Sequence, residues 1–331
     1  MNAMRRSIRS LTACLALGLL AIILVSDPAL AQDDDGDDLE SLLQDVGAEY
    51  AESYAAPFVH TFGPNLNSNL FHTAKIPWAG LTFGIGFKIT AASLNEDDQT
   101  FRRVVSNVDF DDYISPSSPY YADLTGRTGN LVMSGPTIFG DPDTEGSIQF
   151  YSDGLLLAEV AGITGLIDTK FVPTMVPELY VGGMFGLKGT LRYLPEMDLS
   201  DYGKTTFMGY GLQWSASGLL PDLPVDMMVG FSSQKLEIGD LLETTASSFF
   251  VGASKDFAVL TAYAGLAVES SEMTITYEFE DLGQDIEIEV EGVQDNRGIL
   301  GAAFSVPGVT INAEVAKGTI TTYSAGVMFG L

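Results

Sequence analysis

Cysteine is nearly missing from this 331-residue sequence: the single one is Cys14. Histidine occurs twice, at His60 and His72. A disulfide framework is therefore excluded, and a Cys/His zinc site has too few ligands. Basic residues are also scarce, with 16 Lys and Arg against 44 Asp and Glu and a formal net charge of -28. Nucleic acid is excluded as a partner, because so few cations cannot neutralise a phosphate backbone. Beyond the first thirty residues no run of about 18 apolar residues occurs, so no membrane-spanning helix is available. Yet the mean hydropathy is +0.19. A chain this acidic and still apolar on average has separated its charges from its apolar residues.

The start of the chain reads as a targeting segment. Arg5, Arg6 and Arg9 precede the apolar run LTACLALGLLAIILV, and SDPALA follows with small residues at Ala29 and Ala31. This pattern predicts a secretory signal peptide over residues 1–31, cleaved after Ala31. LTAC resembles a lipoprotein cleavage box, but the apolar run lies mostly after Cys14. Losing three Arg and one Asp changes the charge from -28 to -28 - 3 + 1 = -30. Residues 32–78 then form an acidic head, an amphipathic helix and a connector. QDDDGDDLE is the solvated head. Leu39, Leu42, Leu43, Val46, Tyr50 and Tyr54 recur on one helical face and make a candidate lumen plug, capped by Asp37 or Asp38 and ended by Pro57. FGPNLNSNLFHTAKIPW is a turn-rich connector.

From residue 79 the period changes from helical to two. GLTFGIGFKITA sets Leu81, Phe83, Ile85, Phe87 and Ile89 against Thr82, Gly84, Gly86, Lys88 and Thr90. The same alternation recurs in ELYVGGMFGLKGTLRY, FMGYGLQWSA, LPVDMMVGFSSQ and the closing TYSAGVMFGL. The face opposite the apolar one is mostly Gly, Ser and Thr. A soluble sandwich would bury the apolar face and expose long polar side chains instead. Apolar-out, small-or-polar-in strands of about ten residues are what a transmembrane β-barrel needs. Only helices and closed barrels satisfy every backbone group in lipid. The expected fold is therefore all-β: an antiparallel outer-membrane barrel over residues 79–331, of about twelve strands within a range of ten to fourteen. Residues 110–176 stay open between strands and plug. Short turns such as Pro307-Gly308 predict the periplasmic side, and the stretches 194–204 and 281–296 predict outer loops.

On the inward face the charged residues Lys88, Lys188, Arg192, Asp226, Glu269 and Glu314 are candidates to line a lumen, either as a channel wall or as structural pairs. Asp141, Asp143 and Glu145 in GDPDTEG stand at alternate positions like the start of a calcium loop, without the full spacing; a plain turn is the simpler reading. The acids of YEFEDLGQDIEIEVEGVQD offer a possible divalent-cation surface. Enzyme signatures are poor. Ser232 and Lys235 match S-x-x-K, but on a strand they point to opposite faces. No catalytic residues and no cofactor are expected.

AAPFVHTFGPNLNSNLFHTAKIP, GTLRYLPEMDLSDYGKTTFMGYGLQW and LLPDLPVDMMVGF resemble an uncharacterised family of bacterial outer-membrane barrels. A helix leading into a barrel is, more distantly, similar to the long-chain fatty-acid transporter, whose N-terminal segment plugs the lumen. The C-terminal strand resembles the signal that such barrels present to their assembly machinery, although this one ends Phe329-Gly330-Leu331. The resemblance implies a Gram-negative outer-membrane location, membrane lipid as surroundings, and a channel or transporter for a small, possibly hydrophobic, solute. The alternative is a non-transporting surface or envelope-integrity protein that uses the barrel to anchor acidic outer loops.

Overall fold

The computed structural model describes residues 48–113, 119–198, 204–219, 223–239, 242–279 and 284–330. Leu39, Leu42, Leu43 and Val46 lie outside them. A helix, α1 (Ala48–Leu66), is followed by fifteen strands. Ten of these close on themselves: β1 (Thr82–Ser93), β6 (Phe171–Met184), β7 (Leu187–Asp198), β8 (Lys204–Ser215), β9 (Asp226–Ile238), β10 (Leu242–Phe257), β11 (Leu260–Phe279), β13 (Asn296–Val306), β14 (Val309–Lys317) and β15 (Thr321–Gly330). Every neighbouring pair is antiparallel. The ring is completed by β10 on β11 and by β1 on β15, where Phe87 faces Val327 and Ile89 faces Ala325. Closure leaves no open edge in the barrel wall: the apolar strand β15 is paired on both sides, with β1 and with β14.

The barrel has ten strands, the low end of the expected range. β12 (Gln284–Glu291) is not a stave. It pairs with the upper half of β11 and makes a hairpin that rises beyond the wall. Alternation along each strand sends large apolar side chains outward, among them Phe83, Ile85, Leu212, Phe249, Leu266 and Phe329, all at least two-fifths exposed. At one end three connections are tight, at Phe185-Gly186, Ala258-Val259 and Pro307-Gly308, and the fourth spans residues 216–225. The opposite end has three-residue links from β9 to β10 and from β14 to β15, and also the longest connections.

The longest of these resolves the stretch around 110–176: residues 171–176 open the stave β6, and what precedes them is neither stave nor lumen plug. β2 (Thr100–Asp109), β3 (Thr128–Pro136), β4 (Glu145–Ser152) and β5 (Leu155–Thr164) form a separate antiparallel sheet, joined in sequence order and inserted between the long-loop ends of β1 and β6. A short helix, α2 (Tyr121–Leu124), precedes β3. One sheet face buries Leu131, Met133, Ile148 and Phe150 against Phe110, Leu124 and Tyr50. This is a small apolar core of its own, and it forms a cap over the long-loop mouth.

Helix α1 does not end at Pro57 as the sequence suggests. It continues through Pro57 and Pro64 to Leu66. An interior Pro removes a hydrogen bond and disfavours the helix by ~3 kcal/mol. Phe58, Val59, Phe62 and Leu66 offset this by packing against Val172, Val176, Leu194, Phe207 and Leu236 just inside the barrel. Burial of four large apolar side chains, about 1.5–3 kcal/mol each, matches or exceeds the penalty of the two prolines, about 3 kcal/mol each.

Candidate functional site

The predicted connector is the centre of the molecule. After Leu66 the chain stays inside the barrel and runs down the lumen to the short-turn end, where Trp78 Nε1 donates to the Ser215 carbonyl at 3.2 Å. From there it turns into β1. Helix and strap together thread the barrel from the long-loop mouth to the short-turn mouth. Asn69 takes φ 54°, a left-handed conformation that Asn tolerates better than most residues.

Small residues on the inward face now have a physical reason. Phe71 stacks on Phe250 with ring centroids 5.7 Å apart and tilts against Tyr263 at 5.3 Å. A Cβ on Gly252 or Gly265 would lie 2.9 Å from the Phe71 ring. Glycine at these lumen positions is the space the strap occupies.

Polar wall residues hold the strap by its backbone. Arg192 donates to the Leu66 carbonyl at 2.8 Å, the Ser68 carbonyl at 3.1 Å and the Asn69 carbonyl at 3.0 Å, and its Nε pairs with Glu178 at 2.9 Å. Arg297 donates to the Pro64 carbonyl at 2.9 Å and to Ser68 Oγ at 2.6 Å, while Glu269 accepts from its Nε at 2.7 Å. Both ion pairs are buried. Lys88 donates to Asn69 Oδ1 at 3.0 Å, and Glu314 Oε1 accepts from the Asn69 amide at 3.0 Å. Lower down, Gln213 Nε2 donates to the Leu70 carbonyl at 2.8 Å, Ser215 Oγ donates to the Ala74 carbonyl at 2.7 Å, and Ser254 Oγ accepts from the Ala74 amide at 2.9 Å. An extended segment has no internal hydrogen-bond ladder, so these side chains replace the partners a helix or sheet would supply.

Of the six lumen candidates, Lys88, Lys188, Arg192, Glu269 and Glu314 are buried inside the barrel. Asp226 sits half-buried at the foot of β9. Lys188 lies over the Tyr180 ring, 5.4 Å from its centroid. Instead of lining an open path, Lys88, Arg192 and Glu314 bind the plug, and Glu269 pairs with Arg297, which does. Of the plug candidates within the described residues, Tyr50 and Tyr54 belong to the cap contact and not to the lumen. Glu178, Arg297 and Asn69 were not singled out from the sequence. The signal was there for two of them: Glu178 and Arg297 share strand parity with the inward residues of β6 and β13.

The calcium-loop reading of Asp141, Asp143 and Glu145 is not supported by the geometry. Asp141 folds back on its own turn, its Oδ1 accepting from the Asp143 amide at 2.9 Å and its Oδ2 from Thr144 Oγ1 at 3.3 Å. Among the described residues no three potential ligands converge on one point.

Over residues 4–331 the chain matches a family of unknown function, DUF6588, and belongs to it. No curated protein matches it. Solved structures similar to it include a loop-deletion form of the outer-membrane protein OmpT of Vibrio cholerae, at 11% identity and a TM-score of 0.25 over 76% of this chain and 99% of that one. An anion-selective porin from Comamonas acidovorans follows at 10% identity and 0.16, over 76% and 99%. The transport unit of the autotransporter AIDA-I from Escherichia coli gives 10% and 0.21, over 86% and 97%. Likeness this slight carries no argument, and the barrel rests on the strand pairing of this chain itself.

Proposed function

We propose that this DUF6588 protein is a plugged barrel of the bacterial outer membrane that serves as an anchor, holding its cap sheet and acidic loops at the outer face and passing no solute at rest. The observation that carries this reading is the clamped strap: Arg192 and Arg297, each paired with a buried carboxylate, seize five backbone or side-chain oxygens of residues 64–69 from opposite sides of the lumen. A helix and an extended strand fill a ten-strand ring, whose interior is narrow. The outward apolar belt and the ring closure support the membrane location.

A second reading, gated passage, draws on a different observation. Thr174, Thr205, Ser232 and Ser324 are buried on the inward face, and their side-chain hydroxyls have no hydrogen-bond partner among the described residues. That wall would suit a hydrated path once the plug shifts, and it favours a polar solute over the hydrophobic one suggested by the resemblance to fatty-acid transporters. Conductance across planar bilayers separates the two. The anchor reading expects a closed wild-type barrel and leak only in Arg192→Met/Arg297→Met; steady single-channel currents from the wild type would replace it with transport. An unheated against a boiled gel shows in parallel that each preparation is a folded barrel.

A further inference from the structure

We propose that the outer wall of the barrel carries a site for one phosphate-bearing lipid, its acyl chain in a groove over Gly298 and its phosphate on Lys317. The proposal rests on the membrane-barrel reading above. The groove holds about 440 Å³ and is walled by Phe249, Val251, Leu266 and Val268, with Gly298 as its floor and Lys317 at its rim. The groove is open along the outer wall rather than enclosed. Register places Val251, Leu266, Gly298 and Lys317 in one row across β10, β11, β13 and β14.

Two features mark this place in the belt. Gly298 is outward and exposed, with no left-handed φ, and an added Cβ would find only the Lys317 carbonyl, 4.0 Å away. Neither backbone strain nor close packing requires glycine there. Its effect is to omit a side chain from a row that is otherwise bulky. Lys317 is the second feature. In a chain with 44 acidic residues, its ammonium forms no ion pair among the described residues, while Lys204 and Lys235 at the same end sit on Glu196 and on Glu237 and Glu243. An unneutralised cation at the head of an apolar groove is complementary to an amphiphile with an anionic head, and it sits where the belt meets the polar end of the barrel, at headgroup level.

The test uses the full-length protein in mild detergent, incubated with phosphatidylglycerol or with phosphatidylcholine of the same acyl chains, and read by native mass spectrometry. The wild type is expected to retain one phosphatidylglycerol in preference to phosphatidylcholine. Gly298→Leu fills the groove and should lower retention of both lipids about ten-fold or more. Lys317→Gln should lower phosphatidylglycerol retention about five-fold and erase the preference. Gly189→Leu, which adds a side chain at another outward and open glycine on the far wall, should change nothing. Equal retention in all four proteins, no preference for the anionic lipid, or displacement by inorganic phosphate alone overturns the proposal. Loss of the heat-shifted gel band would instead strike at the barrel reading, which the lipid measurement leaves separate.

Discussion

The two ends of α1 are held by unlike grips. Its N-terminal turns sit against the cap, where Tyr50 meets Phe101 edge-on at 5.0 Å and shares an apolar core with Leu131, Met133 and Ile148. Its C-terminal turn and the strap sit in the lumen, held by charged and amide side chains. In the cap, shape does the holding: Gly146 and Gly162 leave the hollow that Tyr50 Oη fills, and a Cβ on either would come within 2.3 or 2.5 Å of it. In the lumen, satisfied polarity does. The comparison teaches that the barrel interior, whose wall turns small and polar side chains inward, secures the backbone of the strap through hydrogen bonds and ion pairs, beside the apolar contacts of Phe62, Leu66 and Phe71. A removed partner therefore has different consequences in the two regions.

The largest effect should come from Arg192→Met. It strands Glu178 in the lumen and frees three strap carbonyls, at a cost of about 3–5 kcal/mol. The temperature at which the folded gel band disappears should fall and liposomes should leak; sealed, equally heat-resistant protein would show that the clamp holds nothing. Tyr50→Ala should cost about 3 kcal/mol, but in the cap alone. Protease should then cut the 94–170 insert while the barrel band is unmoved, and loss of both together would merge the two regions into one cooperative unit. Tyr50→Phe keeps the ring and loses only the oxygen that accepts from the Ile163 amide at 3.0 Å. It should cost about 1 kcal/mol, visible as a modest rise in cap proteolysis; a loss as large as that of Tyr50→Ala would mean the hydroxyl, not the packing, holds the helix.

The smallest effect is a pH dependence of the cap. Hydrogen bonds from Ser147 at 2.6 Å and Gln149 at 3.0 Å hold the Glu159 carboxyl below its ordinary range. A depressed folded value contributes stability above the unfolded value and loses it as pH falls through the folded one. Cap proteolysis should rise slightly on acidification through the carboxylate range, and Glu159→Gln should flatten that slope. An unchanged slope in the variant would assign it to other carboxylates.

Much of this architecture was legible in the sequence. A period of two, with Phe83, Ile85 and Phe87 against Thr82, Gly84 and Gly86, specifies both faces of β1 without a structure, because Cβ atoms alternate strictly across a strand. The same parity placed Lys88, Lys188, Arg192, Glu269 and Glu314 inside. Residues 100–164 were harder. Their strands alternate too, but the sheet is half-buried on a core of its own, and periodicity cannot tell one buried face from another. Pro57 misled because a local breaker was overridden by the burial of Phe58, Val59 and Phe62. NLNSNLFH reads as turn chemistry since Asn and Ser favour turns; in the folded chain the same groups face a wall that matches them.

By itself, then, the sequence determined the outward apolar belt and the inward small and charged face, since these follow from a two-residue period acting on each strand alone. Only the tertiary structure decided that ten strands close the ring, that residues 100–164 form a cap, and that residues 67–78 thread the lumen. Those outcomes depend on partners distant in the chain: Arg192 meets Leu66 and Arg297 meets Pro64 only after the ring closes around them. A pairing between groups more than a hundred residues apart leaves no local pattern, so folding alone brings it about.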